Sequence, residues 1–256
     1  MFVTLLSSLS ARIRDAALEG LGAALPGSVL LRCDLIDAQT LAVAIHRPER
    51  APEIHFVPVG RGCPAEAAAT AAVRILAELG PVELGRADGD WAVSDAEGGA
   101  PGCAVIGLPP GTNGLAAHHT LVARSMGLPL AVDSVALAVE PAAVEPALVS
   151  SYPLHRAGLL PEAAGAVRSD DFMAFALAHA DTVLAIDDPL WGSLEGGAQA
   201  DYRTASDRGM RLLRERAPHA VINAPGRVSV LGRFDREAAG ARVLPDTFAA
   251  PDRRQP

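Results

Sequence analysis

Residues able to do chemistry gather in three short stretches of this sequence. The densest is Pro109 to His119, PPGTNGLAAHH, which sets Thr112 and Asn113 between Gly111 and Gly114 and ends on His118 and His119. Glycine flanks before a helix start predict a concave row of backbone N–H groups, which suits an anion. Thr112 and Asn113 would add side-chain donors. A tight turn that needs glycine for its geometry explains the same residues equally well. His118 and His119 are helix neighbours and point about 100° apart, so one at most faces a given site. The i, i+4 spacing of a helical metal pair is missing. The expected roles are therefore one general base, or a satisfied half-buried histidine, and no metal site.

The second stretch is Gly60-Arg61-Gly62-Cys63-Pro64, between an apolar run and a helical pattern. A cysteine at a helix N-terminus feels the positive end of the dipole, which favours the thiolate, and Arg61 would add to that. Cys63 is the candidate nucleophile. The competing reading is a small buried cysteine packed under the helix. The third stretch is Asp187-Asp188-Pro189, where paired acids at a strand end suit a metal, a ribose or an amine. A turn with a capping aspartate is the alternative.

Composition removes several function classes. The chain of 256 residues has a net charge of −8, and all 22 of its basic residues are arginine. Without lysine there is no Schiff-base chemistry. The phosphate-binding lysine of P-loop and protein-kinase sites is missing too. The acidic balance and scattered arginines argue against a nucleic-acid partner. Cys33, Cys63 and Cys103 form no C-x-x-C pair. That speaks against structural zinc and for a reducing, cytoplasmic setting. No apolar run is long enough to span a membrane. The opening residues MFVTLLSSLSARIRDAALEG are expected to form an N-terminal helix and not a secretion signal.

The elements that would position these residues alternate. Helical periodicity marks Ser10 to Leu25, Ala65 to Leu79, Leu115 to Met126, Asp170 to His179 (with Ser169 as N-cap) and Ala205 to Arg216. Strand-like apolar runs mark Ser28–Leu31, Gln39–His46, Ile54–Val59, Cys103–Leu108, Leu130–Val132, Thr182–Ile186, Ala220–Ile222 and Arg227–Leu231. Arg86 to Ala100 is expected to be a surface excursion. The prolines from Pro141 to Pro153 mark a connection, and Leu190 to Ala200 is expected to be loop. The pattern predicts an α/β fold: a mostly parallel sheet with helices on both faces. It is expected as a single domain over 1–244, with a possible boundary between two small lobes near 141–161 and a frayed tail at 245–256.

One short resemblance occurs. Ala224-Pro225-Gly226-Arg227-Val228 with Ser229-Val230-Leu231-Gly232 is similar to the opening motif of small-molecule kinases of the galactokinase and mevalonate kinase type. Pro109-Pro110-Gly111 with Gly114-Leu115 resembles their phosphate loop. Here the two motifs stand in reversed order, and His118-His119 replace the loop's serines. The resemblance therefore assigns no residue.

These features lead to an expected enzyme acting on a small, anionic substrate, in its sharper form a hydrolase or transferase. Cys63 would attack, His118 or His119 would act as base, and the Gly111–Gly114 loop would hold developing charge. Arg61, Thr112, Asn113, Asp187 and Asp188 would bind the ligand. The alternative is a non-catalytic ligand-binding or accessory subunit using the same crevice. The cofactor and the oligomeric state are left open.

Overall fold

The computed structural model describes residues 1–25, 27–47, 50–60, 63–79, 102–156, 167–188 and 196–223. The strands are β1 (Phe2–Ser7), β2 (Val29–Leu35), β3 (Thr40–His46), β4 (Glu53–Pro58), β5 (Cys103–Gly107), β6 (Ala131–Val139), β7 (Thr182–Ala185) and β8 (Val221–Asn223). The helices are α1 (Ala11–Ala24), α2 (Pro64–Glu78), α3 (Gly114–Arg124), α4 (Pro141–Val149), α5 (Ser169–His179) and α6 (Gly197–Arg216). All eight strands join one sheet in the order β4-β3-β2-β5-β1-β6-β7-β8. From β2 to β8 the neighbours pair in parallel, while β2, β3 and β4 form an antiparallel meander. The fold is α/β, as the alternation predicts.

The central strand lies where the sequence predicts helix. FVTLLS is a short apolar run, and periodicity alone does not separate a buried strand from a buried helical segment. Here it pairs with β5 on one side and β6 on the other and is buried on both faces. That double burial is why apolar residues fall on both faces of the run. The chain leaves β1 through α1 to reach β2, and leaves β5 through α3 to reach β6. These crossovers run in opposite directions, so right-handed connections put α1 and α3 on opposite faces.

The core follows that division. Alternate residues of β1 and β5 split between the faces. Val3, Leu5, Ala104 and Ile106 pack with α2 and α3. Leu6 and Val105 pack under α1 with Ile13, Ala17 and Leu21. α4, α5 and α6 cover Leu137, Val139 and Val183. Helices α4 and α6 cross at Gly209, where a Cβ would lie 1.7 Å from the Pro141 carbonyl oxygen.

Three further departures are local. The Pro141–Pro153 connection contains α4, because Pro141 occupies the first helical position, where its missing N–H costs nothing. Helix α6 begins at Gly197, inside the expected loop. Ser169 is already helical: Arg168 stands at the N-cap position of α5 and makes no side-chain cap hydrogen bond. The expected excursion at 86–100, strand at 227–231 and tail at 245–256 lie outside the described residues, as do Arg61 and Trp191.

Candidate functional site

In a doubly wound sheet, ligands gather beyond the carboxyl ends of the strands where the crossovers diverge. Here that place is the end of β1, flanked by β5 and β6. Only Ser8 and Leu9 separate β1 from Ser10, the N-cap of α1. Ser10 accepts a hydrogen bond from the Ile13 N–H at 3.4 Å, and Ser8 Oγ accepts one from the Ser10 N–H at 3.2 Å. This turn caps its own helix.

Arg12, in the first turn of α1, forms an ion pair with Asp188, just beyond β7. The Asp188 side chain is fully buried, while that of Arg12 is half exposed. Glu140 follows β6 directly, and Tyr202 reaches in from α6. The Asp188 N–H donates to the Tyr202 hydroxyl at 3.3 Å, and that hydroxyl donates to Asp187 Oδ1 at 3.4 Å. Burial raises the Glu140 carboxyl above its ordinary range; Asp188 and Asp187 push it the same way, against Arg12 and the Tyr202 hydrogen bond. Burial, Glu140 and Asp187 also raise the Tyr202 phenol. Arg12 thus pairs with Asp188 and acts on Glu140, which Asp187 and Asp188 also approach. Ionisable groups that perturb one another in a crevice mark a candidate site.

Sequence analysis found Asp187 and Asp188 but missed Arg12, Glu140 and Tyr202. The strand-end rule applied to β6 points to Glu140. Nothing local points to Arg12 or Tyr202, because both arrive from helices whose placement is tertiary.

Two residues of the Pro109–Gly114 loop, Gly111 and Thr112, have their donors bonded within the protein. Gly111 has φ +76°, a left-handed conformation that favours glycine, and its N–H donates to Ser8 O at 2.8 Å. Thr112 is buried; its N–H and its Oγ1 both donate to Pro109 O, at 3.1 and 2.6 Å. Asn113 caps α3 by accepting from the Leu115 N–H at 2.8 Å. Gly114 is a packing residue: a Cβ there would lie 2.8 Å from Ser7 Oγ and 2.9 Å from Val135 Cγ1. The donors expected to cradle an anion at Gly111 and Thr112 are already bonded within the protein.

Cys63 is the N-cap residue of α2 and is half-buried. Its thiol is raised, contrary to the thiolate expected at a helix N-terminus. Burial is the largest cause, and the Glu66 carboxylate adds to it. The backbone N–H groups of Glu66 and Ala65 pull the other way and are outweighed. The strands that feed the two loops, β4 and β5, are separated by β3 and β2. Three strand spacings put those strand ends about 14 Å apart. Helix α2, which Cys63 precedes, nonetheless packs against α3, which follows the Gly111–Gly114 loop.

His118 is half-buried and its pKa is lowered, by burial first and His119 second. Its Nδ1 is buried with no hydrogen-bond partner among the described residues. His119 is exposed, and the two rings stand 5.7 Å apart at 61°. Among the described residues no group of three His, Cys, Asp or Glu could hold a metal. No helix among them is long and apolar enough to cross a membrane.

Fold and site define a doubly wound α/β protein with a cluster of acidic groups at the carboxyl ends of its central strands. No known protein family, curated protein or solved structure matches the chain significantly.

Proposed function

We propose that the chain is a non-catalytic ligand-binding or accessory subunit whose crevice takes a small amine. The Arg12–Asp188 ion pair carries this reading. It spans the place where the fold receives ligands, and Glu140 and Asp187 leave that place with an excess of negative charge. An ammonium group entering here replaces the Arg12 guanidinium at Asp188, and the half-exposed Arg12 side chain returns to solvent. An anionic ligand meets three carboxylates instead. The bonded donors of Gly111 and Thr112 and a raised Cys63 thiol both count against covalent chemistry on an anionic substrate. That second reading, a Cys63 hydrolase or transferase, keeps one observation in its favour: Cys63 stands at the start of a 15-residue helix. Three free cysteines fit a cytoplasmic protein.

The test is thermal stabilisation at constant ionic strength by small amines (ethanolamine, putrescine, arginine) and by phosphate and carboxylate compounds. Saturable stabilisation by an amine, lost in Asp188→Asn, is expected. Stabilisation by anions alone, or by neither class, refutes the amine reading. Cys63→Ser should bind like the parent.

A further inference from the structure

We propose that two copies of this chain join through the free edge of β4. Among the described residues β4 is the outermost strand on its side of the sheet. In its antiparallel register with β3, the Val59 N–H donates to Gln39 O, so Val57, His55 and Glu53 direct their backbone groups inward. Ile54, Phe56 and Pro58 direct theirs outward. Their side chains share the face opposite the one on which Val57 packs into the core. On that open face Ile54 is 60% exposed and Phe56 68%. Beside them lies a hollow of about 540 Å³ lined by Gln39, Thr40, Phe56, Val57, Pro58 and Gly60.

A second copy fits this edge for reasons of shape and charge. Antiparallel pairing about a two-fold axis at His55 sets Ile54 opposite the partner's Phe56, and Phe56 opposite the partner's Ile54. Each such pair exchanges both backbone hydrogen bonds, and aromatic–β-branched pairs are favourable neighbours across strands. Pro58 meets the partner's Pro52 at the position where neither strand has a donor to lose, and the partner's Pro52 and Ile54 fill the hollow. A protein of charge −8 repels its own copies, yet the joining face carries no charge. The one acidic residue of β4, Glu53, lies on the other face and is paired with Arg47. A six-residue strand pair buries less than the roughly 1,200 Å² of a standard interface. The dimer is therefore weak and depends on concentration.

Sedimentation velocity of the full chain from about 1 μM to about 1 mM, a range that spans weak affinities, should show monomer passing into dimer. Phe56→Glu and Ile54→Lys change exposed side chains and should keep the parental thermal transition. Each should raise the dimer dissociation constant at least about tenfold. In a background with Cys63 and Cys103 replaced by serine, His55→Cys should form an intersubunit disulfide faster than Glu53→Cys, because only position 55 lies on the axis. A protein that stays monomeric throughout overturns the proposal. So does a dimer indifferent to both edge variants, or faster crosslinking at position 53.

Discussion

The guanidinium of Arg12 closes on the buried carboxylate of Asp188 and so ties the helix after the central strand to the end of β7. Removing Arg12 leaves a buried charge without this counter-ion. Arg12→Ala should cost about 1–3 kcal/mol, read from urea unfolding. Asp188→Asn removes the charge as well, so the double variant should be less destabilised than the sum of the singles. The coupling should be at least about 0.5 kcal/mol. Strict additivity would show that the pair contributes nothing.

Glu140 gives the crevice a pH signature. Its carboxyl is raised in the folded state, so between its unfolded and folded values the native protein binds the extra proton. Stability from this group is present below the unfolded value, near the ordinary carboxylate range, and is lost as pH rises through the folded one. Glu140→Gln should flatten that decline and be relatively more stabilising at neutral pH than at pH about 4. Parallel stability–pH curves for parent and variant would contradict the assignment.

Arg14 is a structural cation with no exposure to solvent. Its guanidinium donates to Cys33 O at 2.7 Å, Leu108 O at 3.3 Å and Asp34 Oδ1 at 2.7 Å, and its Nε donates to Asp15 at 2.8 Å. It therefore joins α1, β2 and the loop after β5. Burial there pushes the Cys33 thiol up to about 12. Arg14→Ala should destabilise by about 3–5 kcal/mol, measured by chemical denaturation. A loss below about 1 kcal/mol would place Arg14 among ordinary surface residues.

Gly209→Ala tests the α4–α6 crossing. The added Cβ meets backbone at 1.7 Å, which no side-chain rotation relieves. The helices must separate, at a cost of about 1–3 kcal/mol or more. Gly197→Ala, on the same helix with open space around its Cβ, is the control and should be neutral or slightly stabilising. Equal melting temperatures for both variants would mean the crossing is not tight.

Much of the α/β class was legible locally. Continuous apolar runs broken by glycine and proline mark CAVIG, TVLA and the first residues of β6 as strands, and Pro64 marks the start of α2, whereas the extension of β6 to Val139 was not legible. Gly111 was legible as a turn glycine, because a left-handed backbone position excludes most other residues. The candidate site was half legible: an acidic pair after an apolar run announces a strand end, whatever the strand pairs with. Tertiary structure alone decided that FVTLLS is the central strand, since six residues, four of them apolar, suit a buried strand or a buried helix turn and only neighbours on both sides choose. It decided that, among the described residues, β4 is the outer strand of an antiparallel meander, because strand direction depends on where the chain returns. It also decided the site's charge. Arg12, Glu140, Asp188 and Tyr202 come from four separate elements, and the crossovers that bring them together are set by burial across the whole sheet, which no local stretch of sequence encodes.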